Sequence, residues 1–276
     1  MIPLEDNVGD IIGKAQKGLG ILNEVLAERS GITPAQLRTL KGGTLRDPAM
    51  LRRVAAVLRL GGDALVASAA GSWYPMQPEL PEGFLRFNTP FSGMTVNAYL
   101  VWDTASRQAV LFDTGADAAP ILATLKTEKL QLELVLLTHA HIDHVMELPR
   151  LIAGTGARAW INNRDRDEED FPAGVETFSA GQSFVIGGLR IETRLTSGHS
   201  AGQTTYVVRG LSKPLAIVGD SLFAGSMGGG VISYADQLRS DREQILTLPD
   251  DTILACGHGP LTNVGQEKVH NPFFAG

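Results

Sequence analysis

Three of the chain's six histidines fall within six residues, in Thr138-His139-Ala140-His141-Ile142-Asp143-His144. Imidazole and carboxylate together suit a borderline divalent cation of the zinc kind. The stretch follows Leu134-Val135-Leu136-Leu137, an apolar run typical of a buried strand, so it begins where the backbone leaves a sheet. In extended chain, residues i and i+2 point the same way. His139 and His141 can therefore converge on one cation, while Asp143 and His144, as the chain turns into a helix, can face a second. Two cations need more ligands than this stretch supplies. Three further candidates are His199 in Thr196-Ser197-Gly198-His199-Ser200, Asp220 in Val218-Gly219-Asp220-Ser221, and His258 in Cys256-Gly257-His258-Gly259-Pro260. Each stands beside glycine just past an apolar run, where the chain turns sharply and leaves room for an ion. His270 has no such setting. The single cysteine, Cys256, permits neither an internal disulfide nor a thiolate cage, and it reads as a small packing residue.

Such ligands must be held by a sheet. Strands are expected at residues 96–102, 109–112, 134–137, 189–195, 204–208, 215–218 and 252–255, and helices at 118–125, 145–153 and 235–246. That alternation implies a layered α/β domain. The charged run at residues 164–170 reads as a solvated loop or a helix start.

The first 72 residues are different, a helical domain without strands. Thr33-Pro34 and Asp47-Pro48 each have the form of an N-cap followed by proline at the first helical position. Leu51, Val54, Ala55 and Leu58 make one apolar stripe, and Gly42-Gly43 and Gly61-Gly62 supply stops. Another short helix is expected around Leu22, Val25 and Leu26, ending at Ser30-Gly31. Residues 73–83, rich in proline, read as a linker, and 84–276 as the α/β domain. The helical part holds nine Lys and Arg against seven Asp and Glu, a net of +2, which leaves −8 on the remainder of a chain whose overall charge is −6. The acidic start and the lack of a long apolar run predict a cytoplasmic protein with no membrane partner.

Helix, glycine turn and helix in Leu26-Ala27-Glu28-Arg29-Ser30-Gly31-Ile32-Thr33-Pro34 resemble the helix-turn-helix of the lambda-repressor/Cro-like family. The resemblance implies a recognition helix at 33–41, with Gln36, Arg38, Thr39 and Lys41 facing DNA. The same helices serve equally as a bundle that packs on the second domain or forms a homodimer.

His-x-His-x-Asp-His at 139–144, Gly-His at 198–199, Gly-Asp-Ser-Leu-Phe at 219–223 and Gly-His-Gly-Pro at 257–260 resemble, in order, the motifs of the metallo-β-lactamase superfamily. The resemblance spans about residues 84–276. It implies an αββα sandwich with two divalent metal ions at one edge, zinc expected, iron or manganese accepted by the same donors. It also implies that His139, His141 and His199 hold one ion, Asp143, His144 and His258 the other, and that Asp220 bridges them. Asp113, in Phe112-Asp113-Thr114-Gly115, would orient a ligand from behind. Water activated by the ion pair would be the nucleophile, with Asp143 exchanging protons.

The end of the chain, Gly257-His258-Gly259-Pro260-Leu261-Thr262 through Asn271-Pro272-Phe273-Phe274, resembles the compact glyoxalase II-like hydrolases, which implies a small thioester or ester as substrate. No glutathione-binding helical domain follows it, and Ala224-Gly225-Ser226-Met227-Gly228-Gly229-Gly230 departs from that branch. A lactonase and an iron persulfide dioxygenase share the fold. A DNA-binding regulator whose second domain senses a metabolite is the alternative of another class.

Overall fold

The computed structural model describes residues 1–166 and 174–275. Five helices open the chain: α1 (Val8–Gly18), α2 (Asn23–Arg29), α3 (Pro34–Lys41), α4 (Pro48–Leu58) and α5 (Gly62–Ala70). Thr33 caps α3 in a reciprocal box with Gln36, and Asp47 caps α4 by accepting from the Met50 amide at 2.8 Å. α1 and α5 are additional to the helices expected. α1 buries Val8, Ile11, Ile12 and Ala15 on one stripe, but Gly9, Gly13 and Gly18 dilute its helical signal. α4 also ends before Gly61-Gly62, because Arg59 adopts the left-handed conformation (φ 56°) and Gly61 then begins α5. The helices share an apolar cluster with Met227, Tyr234 and Phe273. Residues 73–83 are tied down as well, with Tyr74 donating to the Ile2 carbonyl and the Gln77 amide to the Leu261 carbonyl.

The remainder runs β1 (Phe84–Phe91), β2 (Met94–Trp102), β3 (Gln108–Phe112), α6 (Ala119–Thr127), β4 (Gln131–Leu136), α7 (Ile142–Val145), α8 (Leu148–Thr155), β5 (Arg158–Asn162) and β6 (Glu176–Phe178). It continues with β7 (Ser183–Ile186), β8 (Leu189–Leu195), β9 (Thr204–Arg209), β10 (Leu215–Gly219), the two-residue strands β11 (Leu222–Phe223) and β12 (Ser226–Met227), α9 (Tyr234–Ser240), β13 (Ile253–Cys256), β14 (Thr262–Asn263) and α10 (Val264–His270). One six-stranded sheet has the order β1-β2-β3-β4-β5-β6 and the other β14-β13-β10-β9-β8-β7. Alternation along each strand decides the layers. Tyr99, Val101, Val110 and Phe112 meet Tyr206, Val208, Ile217 and Ala255 between the sheets. Leu100 and Leu111 turn outward to α6 and α8, while Val218 and Leu254 turn outward to Ile245 and Val264. Helices thus cover both outer faces of a two-sheet sandwich.

Two expected helices are interrupted. The one at 145–153 is two pieces, α7 and α8, because Pro149 stands in the first turn of α8, where proline is tolerated and an interior position would not be. The one at 235–246 widens after α9 into a π turn over Asp241–Ile245. Among the described residues no helix is long and apolar enough to cross a membrane.

α10 is fastened by Glu267, fully buried, which accepts from the Gly225 amide at 3.0 Å, Thr262 Oγ1 at 2.7 Å and Asn271 Nδ2 at 2.8 Å. Burial outweighs these donors and pushes its carboxyl up to about 7. A native-state value above the unfolded one stabilises the fold in full below the unfolded value near 4.5, and that stability is lost as pH rises through about 7. Unfolding free energy measured in denaturant is therefore expected to fall by about 3 kcal/mol between pH 5 and pH 8.5 through this group. Glu267→Gln should remove that part of the slope; an identical slope in the variant would show that Glu267 is not its source.

Candidate metal centre

Strand direction brings the site together. β3, β4 and β5 run parallel, so their C-terminal ends share one edge of the first sheet. β10 and β13 run parallel, and β8 shares their direction because both β8 and β10 are antiparallel to β9. Asp113 follows β3, the 139–144 stretch follows β4, and His199, Asp220 and His258 follow β8, β10 and β13. The sheets are tied at this edge by Tyr99 Oη donating to the Cys256 carbonyl and Tyr206 Oη to the Leu137 carbonyl, each at 2.6 Å. Gly219 takes φ 51°, and a Cβ there would lie 2.5 Å from Thr138 Oγ1, so the turn into Asp220 fits against the turn into His139 only with glycine.

Two groups of donor atoms result, each with every donor within 4.8 Å of the others: His139, His141, His199 and Asp220, and Asp143, His144 and His258. His139 Nε2 and His199 Nε2 each lie 3.0 Å from His141 Nδ1. Asp220 connects the groups, with Oδ2 3.4 Å from His199 Nε2 and 3.5 Å from His258 Nε2, and Oδ1 3.4 Å from His144 Nε2. Asp143 Oδ2 stands 3.3 Å from His258 Nε2 and 3.6 Å from His144 Nε2.

The rear nitrogens fix which atoms face inward. Thr138 Oγ1 gives its proton to Asp113 Oδ2 at 2.8 Å and so accepts from His139 Nδ1 at 3.0 Å. His199 Nδ1 donates to the Gly229 carbonyl at 2.9 Å, His258 Nδ1 to the Thr95 carbonyl at 2.8 Å and His144 Nδ1 to Asp113 Oδ2 at 2.8 Å. His139 and His199 therefore direct bare Nε2 lone pairs toward His141 Nδ1, so three imidazole nitrogens converge on one point where a cation would be held. His144 Nε2 and Asp220 Oδ1 are buried and make no hydrogen bond. Both observations fit a divalent ion in each group.

The electrostatics agree. Burial and the neighbouring His144 hold His139 well below the usual imidazole range, and burial lowers His199, so both offer lone pairs at neutral pH. Burial also opposes charge on His144 and His258, yet Asp220 with Asp113 pushes the first up to about 10, and Asp220 with Asp143 the second to about 11. The carboxylates demand positive charge at this spot, and metal ions would replace those protons. Asp220 is held well below the carboxylate range, burial being outweighed by His258 and His144. The Cys256 thiol is raised well above its ordinary value by burial, then by Glu267 and Asp220, and so is inert.

Several supports carry no motif. Asn97, fully buried, donates to the carbonyls of Cys256 and Gly259 at 2.9 Å and holds the His258 turn to β2. Asp165 corrects the reading of its charged run as solvated: it is buried, accepts from Ser200 Oγ at 2.6 Å and from the Gly202 amide, and so braces the loop that presents His199. Residues 167–170 of that run lie outside the described residues. Of the four residues proposed to face DNA, Gln36 is used by its own helix cap, Thr39 bonds to the Ala35 carbonyl, Lys41 donates to Gln16 Oε1 at 3.1 Å, and Arg38 is exposed.

Asp113 has φ 56°, a conformation asparagine tolerates better than most residues, so Asp113→Asn removes charge without adding backbone strain. It is expected to weaken metal binding about 10- to 100-fold, read by competition with a chromogenic chelator. Unchanged affinity would mean that His144 needs no orientation from behind.

Residues 92–258 match the model of the metallo-beta-lactamase superfamily. The chain is 29% identical over 205 residues to "Hydroxyacylglutathione hydrolase GloC" of Haemophilus influenzae, covering 67% of this chain and 95% of that one. Its fold is similar to that of the BLEG-1 B3 metallo-beta-lactamase, with a TM-score of 0.61, 31% identity, and 70% of this chain against 100% of the other. It is also similar to TTHA1623, crystallised in a di-iron-bound form, with a TM-score of 0.55, 26% identity, and 68% of this chain against 99% of the other. Two facing sheets, paired donor groups at their shared edge and a family match across both place this chain in the metallo-beta-lactamase superfamily.

Proposed function

We propose that this protein is a two-metal hydrolase that cleaves a small thioester or ester, in the manner named for its hydroxyacylglutathione hydrolase relative. The observation that carries this is Asp220, whose two oxygens face imidazoles of both donor groups. When bound, an ion pair supplies a nucleophile from water at neutral pH and polarises the acyl oxygen. The protein's part is to hold the donors. Asp113, Thr138, Gly229 and Thr95 fix the tautomers, and burial keeps bulk water from competing. Asp143 remains ionised, since His258 and His144 outweigh its burial, and is the group we assign to move protons during turnover. No side-chain nucleophile is needed: Ser221 Oγ donates to Thr196 Oγ1, and Ser200 Oγ is engaged by Asp165 in the brace behind the His199 loop.

Metal analysis of the protein as isolated, joined to a screen of thioesters, lactones and phosphodiesters, tests the reading. Roughly two transition-metal ions per chain and turnover of a hydroxyacylglutathione are expected. A metal-free protein after gentle isolation, or lactone turnover without thioester turnover, overturns it. One iron with oxygen consumption would identify a persulfide dioxygenase instead.

A further inference from the structure

The segment before α1 runs beside the metal centre. Tyr74 Oη fixes it at one end by donating to the Ile2 carbonyl at 2.8 Å, and Ser226 Oγ at the other by donating to Asp6 Oδ2. Between these ties it lies on the turn that presents His258. A Cβ on Gly259 would be 3.3 Å from the Glu5 nitrogen, 3.6 Å from the Pro3 carbonyl oxygen and 3.7 Å from the Glu5 Cβ. α1 reaches the same turn: Lys14 Nζ stands 5.1 Å from the centre of the Phe223 ring, and that ring meets the His258 ring edge-on at 5.6 Å. The segment lies outside residues 92–258, so it is an addition to the part of the chain that matches the superfamily.

Its two acids are treated differently. Asp6 is matched, since Lys14 pairs with it and Ser226 donates to it, while Lys14 spends a further proton on the Met227 carbonyl at 2.8 Å. Glu5 is half-buried, and among the described residues nothing gives its carboxylate a hydrogen bond or an ion pair. Burial raises this carboxyl above its ordinary value, His258 lowers it, and Asp6 and Asp220 raise it, so the group lies within electrostatic reach of the donors. It belongs to neither donor group, and ions held there would not take it as a ligand. Exposed side chains around the same turn are apolar. Met94 adjoins Thr95, whose carbonyl holds His258, and Ile142 adjoins Asp143, 3.3 Å from His258 Nε2. A carboxylate partly withdrawn from water, unmatched and beside apolar surface, is satisfied by a cation.

We propose that Glu5 is a specificity-determining residue carried to the metal centre by the segment before α1, and that it selects substrates bearing an ammonium group close to the acyl bond that is cleaved. Calling the ligand a substrate rests on the hydrolase reading above; the preference for a cation beside Glu5 does not. Asp6 and Tyr74 position the segment, while Met94 and Ile142 offer apolar contact to the hydrocarbon that carries the charge.

Three acetyl thioesters that differ in charge test this: acetylthiocholine, a quaternary ammonium; S-acetylmercaptoethanol, neutral; and S-acetylmercaptopropionate, a carboxylate. With the metal-loaded full chain, kcat/KM is expected to be about tenfold higher for the cation than for the anion, and the ratio to shrink as salt rises. Glu5→Gln should bring the ratio to about one, with the neutral thioester changed less than about twofold and the metal content unchanged. Glu5→Asp should keep the preference and Glu5→Lys invert it. Equal rates for cation and anion, a ratio that survives Glu5→Gln, or a loss shared alike by all three thioesters overturns the proposal. Binding gives an independent reading. Thioether analogues with ethyl in place of acetyl cannot be cleaved, and calorimetry should show the cationic one bound about tenfold more tightly than the anionic one, a difference that Glu5→Gln removes. That difference without turnover of any thioester or ester would overturn the hydrolase reading and leave the Glu5 subsite standing, whereas its absence overturns the subsite.

Discussion

Asp220→Asn is expected to lower kcat/KM by about 10³-fold or more and to reduce the metal content from about two ions per chain toward one. The amide keeps the shape of the carboxylate and removes its charge, so the loss reads charge alone. Among the described ion pairs, Asp220 is the one acid that lies within 4.0 Å of all four of His139, His144, His199 and His258. It is also a leading reason that His144 and His258 are pushed up to about 10 and 11. Without that charge, the second donor group retains Asp143, with Asp113 behind His144, while the first keeps three imidazoles and no carboxylate. Two divalent ions side by side repel strongly, and an uncharged bridge does little to offset this. Metal analysis and thioester kinetics on the same preparation check the prediction. A variant that keeps two ions and the parental rate would show that Asp220 does not bridge.

Gly257→Ala is expected to reduce activity about 10²- to 10³-fold although it alters no donor. A Cβ at this position would lie 2.1 Å from Asp220 Oδ1 and 2.8 Å from His144 Cε1. The backbone cannot swing away easily. The Gly257 amide donates to the Gly219 carbonyl at 2.8 Å, and its carbonyl accepts from the Asn97 amide at 2.8 Å. Asp220 and His144 must yield instead, and both belong to the donor groups that could hold a metal ion. If Asp143, His144 and His258 hold an ion, its loss is expected to read as substoichiometric metal, with circular dichroism showing the fold retained. Full activity in this variant would place the working ions away from Asp220 Oδ1.

The donor residues were legible because ligation restricts residue type, and their positions after apolar runs reflect a backbone leaving a sheet. Strands that bury both faces, such as β10, announce themselves as unbroken apolar runs. β1 does not, because it mixes Arg86, Asn88, Thr89 and Pro90 with its phenylalanines, as a strand at a sheet margin can. Asp165 and Asn97 were invisible for another reason. Their work depends on partners distant in sequence, Ser200 and Gly202 for one and the Cys256 turn for the other, and local patterning holds no trace of such pairs. Of the helices in the first 70 residues, α3 and α4 were readable from their caps, but that the bundle buries Met227 and Phe273 was not, since an apolar stripe does not name what it packs against.

The crossing of both sheets by the donor groups sets an order of events during synthesis. The first group needs residues 139 and 141 together with 199 and 220, and the second needs 143 and 144 together with 258. Neither set lies within a short stretch of chain, the first spanning residues 139–220 and the second 143–258, and each requires closure of a long loop before its donors meet. A nascent chain therefore has no complete site for a second ion until β13 has left the ribosome and docked beside β10. Metal uptake at these groups would therefore reward only a chain whose two halves have already found each other.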